Sequence, residues 1–303
     1  MSRQPVNEQA SRQQPLASCV VLVDKPAGPT SFDIVRLARR GIRGRVGHAG
    51  TLDPFATGLL LVLMGQATRI SDLLMELPKE YEVTVQFGAE SSTADPTGEI
   101  VATGRRVEMT EVVEALGAFR GRIRQRVPMT SAVKVDGEPL YRRAHRGESV
   151  QTPEREVTVH HLEMLHFDAE RQAARLVAVT GKGTYVRSLA EDIGRALGAG
   201  AYASSLRRTR VGRFQVADGV RPEDLGPERC FAGGPGVMSV GEALDFLPAR
   251  ILQGEEARLA ANGNTLREAS VGRFRAFADR GLLGVYEGDG GSARPVVVFS
   301  TPV

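Results

Sequence analysis

Alternating apolar and polar residues run through much of the chain and predict strands of a sheet. The alternation covers 79–87, 155–167 and 173–180, and we expect three half-buried strands, the last two adjacent. The apolar run at 59–63 is typical of a buried strand, and the β-branched run at 19–23 also predicts a strand. Apolar residues at helical spacing predict helices that begin at Thr30 or Ser31, near Ile70, at Thr110 and at Thr184.

The pattern changes near residue 247. A Gly- and Pro-rich segment at 226–241 marks the approach to a domain boundary. Beyond it, a short helix at 255–261 is followed by short strands at 274–278, 282–286 and 296–300. These features predict a β-rich module at 247–303 that is small enough to need docking onto the main body.

Composition narrows the class of protein. The chain has 303 residues, 42% hydrophobic and 25% charged, which suits a globular protein with one large domain or a large and a small one. Two cysteines, Cys19 and Cys230, are too few for a disulfide framework, so we expect a cytoplasmic protein. No apolar run is typical of a membrane span or a signal peptide, and residues 1–18 are expected to form a disordered tail.

Arginine dominates the basic residues, although the formal net charge is only +3. Arginine runs at 36–45, 120–126, 142–146 and 207–213 suit a polyanionic partner, because guanidinium grips phosphate with two parallel hydrogen bonds. A general preference for arginine codons would give the same composition. The basic segment at 120–147 is equally consistent with a nucleic-acid clamp and with a solvated hairpin plus a charged helix.

Asp53 is the first candidate for chemistry. It lies in the glycine-rich stretch at 47–60, where Pro54 restricts its backbone and a buried strand follows. A carboxylate held in this way could be catalytic, or it could be a turn residue that bonds its own backbone. Arg187 lies in the first turn of a predicted helix, where a cation is unfavourable unless it pairs with a carboxylate; a solvent-facing arginine is the alternative.

Other familiar sites are excluded by spacing. His160, His161 and His166 do not have the spacing of zinc ligands, so no metal site is expected. Leu176 stands where a phosphate-binding P-loop requires glycine, and no dinucleotide-binding fingerprint is present. The segment at 95–98 indicates only a turn. Tyr81 lies on the apolar face of the alternating segment at 79–87, a position more typical of a core residue than of an active site.

Five motifs, taken in order, resemble the TruB-type tRNA pseudouridine synthases. They are 24–31 (DKPAGPTS), 47–58 (GHAGTLDPFATG), 79–81 (KEY), 131–134 (SAVK) with Gly137, Tyr141 and Gly147, and 181–187 (GKGTYVR) followed by 206–208 (LRR). The resemblance covers about 20–214, and a weaker one, to a PUA-like RNA-binding module, lies near the C-terminus. Family members usually have a tyrosine where this chain has Thr130.

The resemblance implies a function. It is the isomerisation of uridine 55 in the T-loop of tRNA to pseudouridine, after the base is flipped out of the loop, with no metal and no cofactor. Asp53 would be the catalytic carboxylate, Arg187 would lower its pKa and Tyr81 would stack on the base. The implied substrate-binding residues are Lys25, His48, Gly50, Thr51, Lys79 and Leu206, and the implied RNA contacts are Lys134, Tyr141, Arg142, Arg143, Lys182, Arg207 and Arg208.

The resemblance also implies the architecture. We expect an α+β fold with a mixed, largely antiparallel sheet and flanking helices at 19–246, an RNA-gripping insertion around 120–147 and a PUA-like domain at 247–303. The partner would be the T-arm stem-loop of tRNA, bound by a monomer away from any membrane. Two other classes stay open: an RNA-binding protein without activity, which need not keep Asp53, Tyr81 and Arg187 together, and an N-ribosyl hydrolase, which would not need the arginine-rich segments.

Overall fold

A computed structural model describes residues 18–40, 44–148, 150–225, 233–267, 270–279, 281–301 and 303. The predicted tail at 1–18, apart from Ser18, and residues 226–232 of the predicted boundary lie outside the described residues. The strands are β1 (Cys19–Lys25), β2 (Val46–Ala49), β3 (Thr57–Met64), β4 (Lys79–Phe87), β5 (Ala89–Ser91), β6 (Ile100–Ala102), β7 (Gly121–Arg126), β8 (Lys134–Val135), β9 (Glu138–Pro139), β10 (Glu154–Asp168), β11 (Ala173–Thr180), β12 (Ala201–Val211), β13 (Phe214–Gln215), β14 (Val237–Ser239), β15 (Ala249–Ile251), β16 (Leu266–Arg267), β17 (Val271–Ala278), β18 (Gly281–Asp289) and β19 (Ser292–Val298). The helices are α1 (Ser31–Ala38), α2 (Ser71–Glu76), α3 (Met109–Leu116), α4 (Leu140–His145), α5 (Val186–Ala196), α6 (Val240–Ala243) and α7 (Gly254–Ala261).

The larger sheet is mixed and largely antiparallel, as predicted. Its strands follow the order β14-β1-β3-β12-β4-β11-β10-β7, with β2 paired to β3 and β13 to β12. The parallel contact in this sheet is short and joins β3 to β12 at Thr57 and Gly58. This contact lies next to the loop that carries Asp53.

Helices cover one face of the larger sheet, and α2, α6 and the C-terminal module cover part of the other. In β3, Leu60 and Val62 belong to the hydrophobic core with α1, α3 and α5, whereas Leu59 and Leu61 belong to the opposite core. Burial of both faces explains why this strand is continuously apolar. Strand β4 lies between β12 and β11 and is fully buried on one face only, and its alternation predicted the bounds that the structure has.

The C-terminal residues form a second, smaller sheet with the order β15-β17-β18-β19-β16. One side packs with the larger sheet through Leu282, Val285 and Phe299, and the other side packs against α7. The small size of the C-terminal module predicted that it docks onto the main body. This docking provides much of the hydrophobic core of the module.

Two predicted helix caps are wrong. Glu108, not Thr110, caps α3, and Tyr185, not Thr184, caps α5. At α5 a tertiary contact replaces the local cap, because the Gln125 side chain accepts from the Tyr185 amide at 2.7 Å and donates to its carbonyl at 3.0 Å. The cap of α1 agrees with the prediction, since the Thr30 hydroxyl accepts from the Asp33 amide.

Candidate active site

The loop between β2 and β3 presents Asp53. The Ser31 hydroxyl, at the start of α1, accepts from the Leu52 amide at 2.8 Å and donates to the Leu52 carbonyl at 2.9 Å. The Asp53 carbonyl accepts from the Ala56 amide at 3.1 Å, which closes a turn after Asp53. The backbone of the loop is thereby fixed on both sides of the carboxylate.

Arg187 binds this carboxylate with two hydrogen bonds. Its Nε lies 2.7 Å from Asp53 Oδ2, and its Nη2 lies 3.2 Å from Oδ1. The arginine side chain is 2% exposed and the aspartate side chain 30% exposed. The predicted pairing of Arg187 with a carboxylate is confirmed, and Asp53 is not simply a turn residue that bonds its own backbone.

The other edge of the Arg187 guanidinium also donates hydrogen bonds. Arg187 Nη1 donates to the Thr130 hydroxyl at 2.7 Å, to the Thr93 carbonyl at 3.0 Å and to Asp95 Oδ2 at 3.3 Å. The other oxygen of Asp95 accepts from the Thr97 amide at 2.9 Å. A single buried cation thus lies between two carboxylates, and its plane is fixed by several acceptors.

Burial raises the pKa of Asp53 above its ordinary value. Arg187 opposes this rise by its charge and its hydrogen bonds, whereas the charge of Asp95 adds to it. Arg187 lowers the pKa of Asp53, as expected, but the loss of solvent outweighs the arginine, so the pKa of this carboxyl stays above its ordinary value. The arginine limits the rise and orients the carboxylate.

The ion pair lines a cleft of about 590 Å³. That volume lies within the range of roughly 300–1,000 Å³ that is usual for small-ligand sites. The predicted site residues that line it are Gly50, Thr51, Asp53, Lys79, Tyr81, Lys182, Arg187, Leu206 and Arg208. The structure therefore brings the three predicted catalytic residues to one cleft.

The two predicted substrate-binding lysines differ in position. Lys79 lines the cleft, but its ammonium donates to the carbonyls of Met75 and Leu77. Lys25 is fully buried and is not among the residues that line the cleft, which corrects its predicted position. Its ammonium donates to the backbone carbonyls of Pro26, Pro29 and Pro54. Burial lowers the pKa of each lysine to about 8.

His48 lies on β2, opposite Val62 of β3, and is half-buried. Its Nδ1 is buried and has no hydrogen-bond partner among the described residues. Burial lowers the pKa of His48, and the charge of Arg208 adds to this effect, so both favour the neutral ring. Its predicted contact with the substrate stays a prediction.

The predicted RNA contacts of the insertion lie on a β8–β9 hairpin and on α4. Lys134, Tyr141 and Arg142 are exposed there. Arg143 is less accessible, since its side chain is 17% exposed and lies 3.6 Å from Glu138. Lys182 stands at the cleft with a 70% exposed side chain, 3.7 Å from Glu76.

The last two predicted RNA contacts are held by the protein itself. Arg207 forms a two-pronged ion pair with Asp24, at 2.8 and 3.0 Å. Arg208 is 1% exposed and donates to main-chain carbonyls. Arg208 also lines the cleft, but its guanidinium is buried against the protein backbone, and its predicted contact with RNA stays a prediction.

Sequence reasoning missed three supporting roles at the site. Asp95 and Thr130 are partners of Arg187, and Ser31 supports the loop that carries Asp53. The segment at 95–98 predicted a turn, which Asp95 does form, but nothing local indicates that its second oxygen meets an arginine 92 residues away. Arg187 was the available signal for these partners, since an arginine that pairs with a carboxylate in a buried place also requires acceptors for its other N–H groups. Among the described residues, no group of three or more His, Cys, Asp and Glu side chains could hold a metal ion, and no helix is long and apolar enough to cross a membrane.

Solved structures share this fold. The crystal structure of a Cbf5–Nop10–Gar1 complex matches with a TM-score of 0.70 and 23% identity, over 93% of this chain and 84% of the other. The archaeal box H/ACA sRNP Nop10–Cbf5 complex matches with a TM-score of 0.68 and 22% identity, over 96% and 88%. These likenesses establish a pseudouridine synthase fold.

Comparison of the sequence with known proteins identifies the family to which this chain belongs. The model of the TruB family pseudouridylate synthase N-terminal domain matches residues 38–186, and that of the tRNA pseudouridylate synthase B C-terminal domain matches 187–231. Proteins named tRNA pseudouridine synthase B from Azoarcus sp. (strain BH72) and Thermobifida fusca (strain YX) are each 41% identical, over 93% and 94% of this chain and 95% and 99% of their own lengths. The chain belongs to the TruB family of pseudouridylate synthases.

Proposed function

We propose that this protein is a tRNA pseudouridine synthase that isomerises uridine 55 in the T-loop. The observation that carries the proposal is the Asp53–Arg187 ion pair at a nucleoside-sized cleft that Tyr81 also lines. Family membership supports the reaction, and the names of the relatives support tRNA as the substrate. The position within tRNA is our inference from the sequence motifs.

The chemistry explains why one carboxylate is central. The isomerisation breaks the bond between N1 of the base and C1′ of the ribose, and it forms a bond from C5 to C1′. The hydrogen on C5 leaves as a proton and N1 gains one, so no electrons enter or leave. Asp53 acts at the sugar as the glycosidic bond breaks, and Arg187 holds the carboxylate in position.

Tyr81 and Leu206 provide the apolar part of the site. Both line the cleft and are largely buried, on the adjacent strands β4 and β12. An aromatic ring in this place can stack on a base that has left its loop. Extrusion of the base costs a few kcal/mol, which such stacking offsets in part.

Exposed cations around the cleft suit the phosphates of a T-arm. Lys182 stands at the cleft, and Lys134 and Arg142 are exposed on the insertion at 120–147. Tyr141, also exposed on the insertion, can stack on RNA. We infer that the insertion grips the stem-loop and that the module at 247–303 is a PUA-like RNA-binding domain.

One chain provides the proposed site. Asp53 lies on the loop between β2 and β3, and Tyr81, Arg187 and Leu206 lie on β4, α5 and β12 of the same chain. This arrangement supports action as a monomer, and the proposed tRNA substrate is the reason we infer a cytoplasmic location. Sizing in solution should then give one copy of 32.6 kDa.

Tritium release tests the proposed function directly. A T-arm stem-loop that carries 5-tritiated uridine only at position 55 should release its tritium when the wild-type protein is added. The same stem-loop labelled at another uridine is the control and should retain its label. Absence of release from position 55 would overturn the assignment, and release of free uracil would indicate a hydrolase instead.

A further inference from the structure

Arg208 is a buried cation whose hydrogen bonds go to the backbone on both sides of Asp53. Its Nε donates to the Leu59 carbonyl at 2.7 Å, and its Nη2 donates to the Gly50 carbonyl at 2.9 Å. Nη1 lies 3.5 Å from the Thr51 carbonyl. Gly50 precedes the Asp53 turn and Leu59 follows it, so one guanidinium joins the two ends of the loop.

The backbone of Arg208 lies as close to the loop as its side chain. Residues 207 and 208 pair with Thr57 and Gly58 in the parallel contact between β12 and β3. A Cβ on Gly58 would lie 2.2 Å from the Arg208 carbonyl oxygen, and a Cβ on Gly50 would lie 3.4 Å from Arg208 Nη1. Glycine at these two positions lets the loop close around the arginine.

We infer that Arg208 is a positioning residue for Asp53: it clamps the main chain at both ends of the 50–59 loop so that the carboxylate stays in reacting geometry. The inference deepens the proposed function and rests on it for its kinetic part. Arg208 acts through the backbone and not on the RNA, because it is 1% exposed. A guanidinium suits this task, because its N–H groups form a fork fixed in one plane and can donate to carbonyls that lie in different directions.

Two other buried side chains support the same loop. Ser31 holds both main-chain groups of Leu52, and Lys25 donates to the Pro54 carbonyl at 3.3 Å. Neither of them bonds the two ends of the loop together. Loss of Arg208 should therefore loosen the loop as a unit without releasing Leu52 from α1.

The test uses Arg208→Lys, which keeps the charge but cannot form the fork, and Arg208→Met, which removes both. The matched control is Arg210→Lys, an exposed arginine on the same strand. For each protein we would measure kcat by tritium release, and the Kd of the T-arm and its dependence on salt by filter binding. Hydrogen exchange of peptides that cover 50–58 completes the set.

The clamp predicts a specific pattern. In Arg208→Lys, kcat falls at least about 10-fold and in Arg208→Met about 100-fold, as expected when a catalytic group is misplaced by about 1 Å. The Kd and its salt slope stay at wild-type values. Exchange of the Ala56 amide becomes faster, exchange of the Leu52 amide, which Ser31 holds, and exchange in β4 do not change, and Arg210→Lys behaves as wild type.

Other outcomes overturn the inference. A weaker Kd with a salt slope reduced by about 1 and unchanged kcat would identify a phosphate contact instead. Unchanged kcat and exchange in Arg208→Lys would show that the fork is dispensable, and this variant decides the matter if Arg208→Met does not fold. The exchange measurement needs no activity, so it tests the clamp even if the wild type releases no tritium and the proposed function fails.

Discussion

At the scale of single residues, the site is organised by one guanidinium between two carboxylates. Arg187 faces Asp53 with one edge and Asp95 with the other. A buried ion pair costs desolvation free energy, which is offset only if every donor finds an acceptor. Here Thr93 and Thr130 provide the remaining acceptors. The arrangement therefore serves to fix one carboxylate at a cleft rather than to add stability.

The raised pKa of Asp53 predicts a dependence of activity on pH. The proposed function requires the ionised carboxylate of Asp53, so kcat/KM should fall as pH decreases through the pKa of this group. Because burial raises that pKa, the fall should begin at a higher pH than an ordinary aspartate would give. Tritium release between about pH 4 and 8 checks this, with circular dichroism to show that the fold persists. An acid limb at the ordinary aspartate value would contradict the account.

The Thr130 hydroxyl accepts a hydrogen bond from Arg187 at 2.7 Å. Thr130→Val keeps the shape but leaves this donor with one partner fewer. We expect kcat to fall about 10-fold, which corresponds to about 1.4 kcal/mol for one lost hydrogen bond. Thr130→Ser keeps the hydroxyl and should restore the rate. Wild-type kcat in the valine variant would show that Thr130 does not hold Arg187.

Sequence reasoning at this scale succeeded where a motif was local. It selected Asp53, Tyr81 and Arg187, which share one cleft. It misplaced Lys25, and it did not reveal that Arg207 pairs with Asp24 or that Arg208 is buried, because the partners of a cation are decided by the fold and not by its neighbours in sequence. Arg208 illustrates the reason, since its acceptors lie 149 and 158 residues away.

At the scale of elements, β3 and β12 determine where Asp53 sits. The carboxylate follows β2 and precedes β3, and β12 locks the start of β3 through the parallel contact at Gly58. Periodicity predicted β4 with its bounds and β3 within two or so residues, because burial of one or both faces leaves a clear pattern. It could not predict the order of strands, which depends on pairings between distant segments.

Gly58 provides a test of this contact. It has a φ of +104°, and a Cβ there would lie 2.2 Å from the Arg208 carbonyl oxygen. Gly58→Ala should therefore lower the free energy of unfolding by about 3 kcal/mol or more, from backbone strain and overpacking together. Denaturant unfolding measures this difference.

The matched control is Gly104→Ala, where φ is +76° and no atom lies within 4 Å of the added Cβ. This variant should lose only about 1–2 kcal/mol, from the backbone conformation alone. Equal losses in the two variants would mean that β3 and β12 can separate at little cost.

At the scale of the whole molecule, the two sheets share a core. Leu282, Val285 and Phe299 of the smaller sheet pack in the same hydrophobic cluster as β3. Polar contacts border this cluster, such as the Gln66 side chain, which accepts from the Ser300 amide at 2.7 Å. The predicted β-rich module and its need for docking are confirmed as architecture, whereas its PUA-like role in binding RNA stays a proposal.

Binding of RNA should depend steeply on salt. The exposed cations Lys134, Arg142 and Lys182 can each neutralise a phosphate, although the formal net charge is only +3. With about three phosphate contacts, affinity for the T-arm should fall about 40-fold between roughly 50 and 200 mM salt. Filter binding across this range measures the slope. A flat dependence would argue against the cationic insertion as an RNA grip.

Single-turnover tritium release by Asp53→Asn is the most direct test of the central claim, that Asp53 is the catalytic carboxylate of a uridine isomerase. The substrate is the T-arm stem-loop labelled at position 55, with its Kd measured in parallel. We predict that the variant binds the stem-loop as the wild type does and that release is abolished, since the neutral amide cannot act at the sugar. Release at the wild-type rate by Asp53→Asn would contradict the account.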